Sequence, residues 1–187
     1  NIRCSSVGTT FDVTFKGDKK KYEFETKLLG KHNVYNILAG LALGREFGIS
    51  IPKLQQAVRN VKQVEHRLEL KKMGYFYQID DAYNSNPVGA KSALEVLSMM
   101  PGLKVVVTPG MIELGDKEEE LNKEFGKQIA TISKADYVVL IGEKRTKPIK
   151  EGLKEAKYNM DNLIVYNDVK EAYNFIRGIK TKKEIYA

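Results

Sequence analysis

Apolar and polar positions alternate with a period of two in TFDVTF (10–15) and again in KYEFET (21–26), on either side of the polar stretch KGDKKK. Two half-buried strands joined by a turn are the reading this pattern predicts, a β-hairpin. The period then lengthens. In NVYNILAGLALGREFG (33–48), Val34, Ile37, Leu38, Leu41 and Ala42 recur at helical spacing, and Gly48 stands where the helix should stop. Ser50 offers an N-cap and Pro52 a first-turn residue for a second helix, PKLQQAVRNV. After KQVEHRLEL the grammar changes to strand, loop, helix, repeated. YFYQI leads to PVGAKSALEVLSMM, KVVVT to KEEELNKEFGKQIATI, YVVLI to KPIKEGLKEA, and NLIVY to DVKEAYNFIR. Nearly all-apolar strands alternating with amphipathic helices predict a parallel sheet covered on both faces. The expected fold class is therefore α/β: a doubly wound, mostly parallel sheet over 65–187, preceded over 1–64 by the hairpin and two helices of a different domain.

Composition narrows the function classes. The 187 residues carry a net charge of +7, and 42% are apolar. No apolar run has the length of a membrane-spanning helix, so no membrane span is expected. The basic residues come in short runs mixed with acids, GDKKKY, GEKRTK and KTKKE, without aromatic residues interleaved on one face. Such runs read as solvated surface rather than a nucleic-acid interface. Cys4 is the single cysteine; an intrachain disulfide is impossible, which suits a reducing cytoplasm. The first residues have neither the basic-then-apolar order of a signal peptide nor an initiating Met, and the chain is expected to begin inside a longer protein.

Candidate chemistry gathers at strand exits. In open α/β sheets ligands bind beyond the carboxyl ends of the strands, and DDAYNSNP (80–87) lies at such an end. Asn86 and Pro87 make an N-cap and first-turn pair for the next helix. That leaves Asp80, Asp81, Tyr83 and Asn84 without an evident structural task, and their carboxylates and amides suit a ligand rich in hydroxyls and amides. A second loop, TPGMIELG (108–115), leaves the next strand on the same edge; Gly110 and Gly115 permit sharp turns there, and Glu113 can face a ligand or a neighbouring amide. Neither G-x-x-x-x-G-K-[ST] nor G-x-G-x-x-G occurs, so the chain holds no phosphate loop of either kind.

Four segments in order, GKHNVYN (30–36), HRLE (66–69), IDDAYNSNP (79–87) and TPGMIELG (108–115), resemble the C-terminal half of the Mur ligase family. Within it they look most like the branch that adds D-alanyl-D-alanine to a UDP-N-acetylmuramoyl-tripeptide in bacterial cell-wall synthesis. Two positions depart from the family pattern: His66 stands where a glycine commonly precedes the arginine, and Asn122 where many relatives have a histidine.

The resemblance implies a cytoplasmic bacterial ligase of three domains. This chain would supply the end of the central ATPase domain and a Rossmann-like C-terminal domain. ATP and Mg2+ would be the cofactors, UDP-MurNAc-peptide and D-Ala-D-Ala the substrates, and the upstream domains of the same protein the partners. The phosphate loop and metal ligands of the family fall upstream, so the resemblance assigns no catalytic or metal-binding residue to this chain and implies that it is inactive alone. It places Asn36 and Asn33 at adenine, with His32 in support, Arg67 at the ATP phosphates and Asp81 at the ribose hydroxyls. Tyr83, Asn84 and Asn86 fall at the lip of the dipeptide site or at contacts that lock a closed state. Another amino-acid-adding ligase of the same superfamily, or a Mur-like module that has lost catalysis and serves as an interaction unit, fits the same residues.

Overall fold

The computed structural model describes residues 1–83 and 85–187, in two compact units, Asn1–Glu69 and Leu70–Ala187. In the first unit the predicted hairpin is present as β2 (Gly8–Val13) and β3 (Tyr22–Thr26), antiparallel with Phe11 opposite Phe24. The two rings stack at 5.7 Å between centroids. A strand that the alternation did not announce, β1 (Ile2–Ser5), pairs antiparallel with the outer edge of β2. Helix α1 (Lys31–Glu46) and helix α2 (Ile51–Arg59) follow as expected. Gly48 takes a left-handed φ of 73° just past the end of α1, the conformation in which glycine is least strained. Ser50 occupies the N-cap position of α2 with extended backbone but makes no side-chain cap hydrogen bond. Val34, Ile37 and Leu41 of α1 and Leu54 and Val58 of α2 bury one core with Phe11, Val13 and Phe24 of the sheet.

The second unit is the expected α/β domain. Its strands are β4 (Glu69–Lys72), β5 (Tyr77–Asp80), β6 (Leu103–Thr108), β7 (Tyr137–Ile141), β8 (Leu163–Tyr166) and β9 (Ile185–Tyr186), in the spatial order β4-β5-β9-β6-β7-β8. The last four in that order, and β5 with β9, are parallel. β4 joins β5 through four residues, a length that permits only an antiparallel neighbour. The helices are α3 (Pro87–Ser98), α4 (Glu118–Gln128), α5 (Glu143–Glu155) and α6 (Val169–Gly178). The crossovers through α3, α4 and α5 all step the same way along the sheet, whereas the one through α6 steps back. With right-handed connections this sets α6 on the opposite face from the other three. The packing agrees: α3 meets α4 and α4 meets α5, while Ala172 and Ile176 of α6 share a core with Val105 of β6 and Val139 of β7. Helix α5 starts four residues before the predicted segment, so the basic run EKRTK forms its first turns rather than a loop.

The α4–α5 crossing is close because each helix presents a glycine to the other's backbone. A Cβ at Gly126 would run into the Ile149 carbonyl, and one at Gly152 into the Lys123 carbonyl. Gly152→Ala should therefore destabilise the second unit by about 1–3 kcal/mol, against the roughly 1 kcal/mol by which alanine ordinarily favours a helix over glycine. Gly40→Ala, in α1 with nothing within 4 Å of the added carbon, should stabilise the first unit. Denaturant melts of the two variants are expected to move in opposite directions.

Candidate functional site

Parallel strands deliver their carboxyl ends to one edge of a sheet, and in the second unit that edge carries both loops singled out from the sequence. A cleft of about 820 Å³ opens there, lined at its mouth by Asp81, Tyr83 and Ser85 after β5 and by Pro109, Ile112 and Glu113 after β6. Its deeper walls are apolar, Ala90 and Leu94 of α3 and Ala172 and Ile176 of α6. A convergent polar rim over an apolar interior is the usual form of a ligand site.

The two acids at the end of β5 have different tasks. Asp80 is buried; its Oδ2 accepts from Lys71 Nζ of β4 at 2.9 Å and its Oδ1 from the Ala82 N–H at 3.3 Å. The reading that left Asp80 without a structural task is thus corrected: it pins β4 to β5 and turns the chain out of the sheet, and Lys71 is its counter-ion rather than a spare surface charge. Asp81, the next residue, lines the cleft. Tyr83 is 69% exposed at the rim. Asn84 lies outside the described residues. Asn86 caps α3, its Oδ1 accepting from the Gly89 N–H at 3.0 Å, which is the local role the Asn-Pro pair announced.

The loop after β6 is held from below by one side chain. Asn122 of α4 is 1% exposed; its Oδ1 accepts from the Met111 N–H at 2.8 Å, while its Nδ2 donates to the Met111 and Glu118 carbonyls, both at 2.9 Å. Thr108 Oγ1 accepts from the Gly110 N–H at 3.0 Å. Gly110 has a φ of 84°, and a Cβ there would lie 3.1 Å from Asn122 Oδ1, so a side chain at this position would be strained by its backbone and would crowd the amide. Above this clamp Ile112 and Glu113 are exposed, Glu113 with a left-handed φ of 62°. Sequence reasoning noted Asn122 only as a departure. The available signal was a lone amide three residues before Phe125 and seven before Ile129, on a helix face that is otherwise buried.

In the first unit, Asn33 and Asn36 meet at the start of α1. Asn36 Nδ2 lies 3.5 Å from Asn33 Oδ1, and Asn33 Nδ2 donates to the Leu29 carbonyl at 2.7 Å. Asn33 is thereby fixed to the backbone, Asn36 is exposed, and His32 is half-buried beside them. Gly30, with φ 84°, precedes the helix and contributes no capping side chain. Arg67 is exposed in the segment between α2 and β4. The residue before it, His66, has a φ of 59°, a left-handed conformation that costs a side chain about 1–2 kcal/mol and glycine little.

With this geometry in place, comparison with known proteins is decisive at the level of family. The Mur ligase glutamate ligase domain matches residues 66–185, and the Mur ligase middle domain matches residues 1–44. The chain belongs to the Mur ligase family. Among curated Mur ligases, the UDP-N-acetylmuramoyl-tripeptide--D-alanyl-D-alanine ligase of Bacillus subtilis is 32% identical over 99% of this chain and 40% of its own length. That of Escherichia coli is 31% identical over 76% of the chain and 31% of its own length. The crystal structure of a MurF from Acinetobacter baumannii superposes with a TM-score of 0.83 at 22% identity, over 99% of this chain and 40% of that one. A MurF ligase from Thermotoga maritima, solved in complex with ADP, does so at 0.78 with 20% identity, over all of this chain and 40% of that one. The chain thus spans two fifths or less of these Mur ligases, and the fold is theirs.

Two stability outcomes follow. Asn122→Ala leaves the Met111 amide and carbonyl without their partner, which at about 1–3 kcal/mol for each unsatisfied buried group should lower the melting temperature and speed amide exchange at Met111. His66→Gly removes left-handed strain and should raise stability by about 1 kcal/mol; a loss of stability would mean that the imidazole makes a contact worth more than the strain.

Proposed function

We propose that this chain is the C-terminal part of an ATP-dependent amide ligase that joins D-Ala-D-Ala to a UDP-MurNAc-peptide. The observation that carries the reading is the meeting of DDAYNSNP and TPGMIELG at the mouth of one cleft, on the strand edge where α/β sheets take ligands. The relatives named for D-Ala-D-Ala addition support that choice of dipeptide. A substrate drawn from the nucleotide precursors of the cell wall supports a place in the bacterial cytoplasm.

In this reading the substrate carboxylate attacks the γ-phosphorus of ATP, ADP leaves, and an acyl phosphate forms. The dipeptide amine then attacks the acyl carbon and phosphate departs as the amine gives up a proton. The groups on this chain bind and orient. Asn36, steadied by Asn33 with His32 alongside, presents an amide able both to donate to and accept from a purine edge. Arg67 offers a planar cation suited to phosphate oxygens, and Asp81 an acceptor for ribose hydroxyls. Tyr83 and Glu113 frame the rim where an amine would enter, and holding the reactants there away from water protects the acyl phosphate. Among the described residues no three His, Cys, Asp or Glu side chains converge. Magnesium usually needs only one or two carboxylates besides the nucleotide's own oxygens, and in this reading those come from the part of the protein that precedes this chain.

The test uses the full-length protein, with each substrate varied in turn. Arg67→Ala should lower kcat/KM for ATP roughly tenfold to a hundredfold, the range for losing a hydrogen bond to a charged group, whereas Lys62→Ala, an exposed control, should stay within about twofold. Asp81→Ala should raise KM for ATP, and Asp81→Asn, which keeps an acceptor oxygen, should raise it less. Turnover with L-alanine or D-glutamate in place of D-Ala-D-Ala would move the assignment to another branch of the family. Equal effects of Arg67→Ala and Lys62→Ala would remove Arg67 from the site.

A further inference from the structure

Helix α5 sorts its charges by flank. Thr146, Ile149, Gly152 and Leu153 form its buried face. Its later acids belong to the α4 side: Glu155 accepts from Lys123 Nζ at 2.7 Å and from Lys127 Nζ at 3.1 Å. That hydrogen bond and the charge of Glu155 hold the Lys123 ammonium above its ordinary range, and Glu151 and Glu119 add to the same field. Lys144, Lys147, Lys150 and Lys154 are all exposed. Spaced three, three and four residues apart, they are successive neighbours in one row on the helix surface, roughly 15 Å long at 1.5 Å per residue. Among the described residues, none of the four has a carboxylate within ion-pair distance. Arg145 at one end of the row and Lys157 just past the other are exposed as well.

The fold alone gives no reason for this row. Each successive pair in it is a like-charge pair, which weakens a helix, and Lys144 and Arg145 stand in the first turn, where the helix dipole disfavours cations. Only Lys154, in the last turn, gains from the dipole. Residues 70–187 carry nearly as many acids as bases, so the row is a local segregation rather than the overflow of a basic domain. We propose that the lysine row of α5 is a docking surface for an anionic phospholipid bilayer, met lying flat and through charge alone. The chemistry of the row selects this occupant. No aromatic or large aliphatic side chain of α5 is exposed, whereas a protein partner would need an apolar centre to its interface and single-stranded nucleic acid would need aromatic platforms. Lysines are compact, strongly hydrated point charges without the fork that clamps one phosphate, which suits a diffuse field of headgroups. Such headgroups rearrange under a straight row, and each lysine held near them strengthens binding roughly fivefold. None of the four lines the cleft, so docking does not occupy the site of the proposed function.

The test is co-sedimentation of the full-length protein with phosphatidylcholine vesicles, with and without phosphatidylglycerol, at about 0.1 M and about 0.5 M salt. The protein should pellet with the anionic vesicles at the lower salt, stay in solution with phosphatidylcholine alone, and be released at the higher salt. The double variant Lys147→Gln/Lys150→Gln should weaken the partition about twentyfold. Lys53→Gln/Lys62→Gln removes the same charge from exposed positions of the first unit and should stay within about twofold. The α5 variant should melt at or above the parent temperature, because it removes like-charge neighbours, so its loss of binding is not a loss of fold. Absence of binding to anionic vesicles would overturn the proposal, as would equal losses in the two double variants. Tighter binding to a DNA duplex than to the vesicles at the same salt, abolished by the α5 variant, would make the row a nucleic-acid surface and overturn it too.

Discussion

The parallel pairing of β5, β9, β6, β7 and β8 is the constraint on which the rest of the second unit depends. It aligns the carboxyl ends of strands that are far apart in sequence, so that residue 81 and residue 113 open onto one cleft. A hairpin connection cannot do this, because neighbouring antiparallel strands end at opposite edges. Each crossover must instead pass over a face of the sheet, and the helices that make those crossings supply the cleft's apolar walls. One arrangement therefore produces both the polar rim and the apolar interior behind it.

That alignment is made rigid by buried polar groups at its rim. The Lys71–Asp80 pair ties the edge strand to β5 at the residue before Asp81. Asn122 holds the loop after β6 through three hydrogen bonds, and Gly110 leaves room for the amide. Both devices bind backbone or counter-charge beneath the cleft, which suits a site that must be preorganised before it meets its ligand. Asn122 is uncharged across the physiological range, so its clamp does not depend on pH as an imidazole at the same place would.

Much of this was legible in the sequence because it is local. Period-two alternation placed β2 and β3, and apolar runs of three to five residues placed β5 to β8. Asn86 before Pro87 announced the cap of α3. What escaped the sequence depends on distant partners. β4, reading Glu-Leu-Lys-Lys, has the charge of an edge strand and little apolar content. β9 is two residues long after a basic run and exists only because β5 and β6 flank it. The task of Asp80 required knowing that Lys71 lies across the hairpin, and the role of Asn122 required knowing which loop passes over it. His66 shows the converse: it entered as a departure from a family glycine, and the left-handed backbone at that position explains why glycine is common there.

The central claim, carried by the proposed function, is that the polar rim made by residues 81–83 and 109–113 is where this chain contacts the small-molecule ligands proposed for it. The most direct measurement is amide hydrogen exchange of the full-length protein with and without a non-hydrolysable ATP analogue plus D-Ala-D-Ala. Slower exchange at both rim segments, with the helix α5 amides on the covered face unchanged, is the result this account predicts. Protection confined to other regions, with exchange at Asp81 and Glu113 unaltered at saturating ligand, would contradict it.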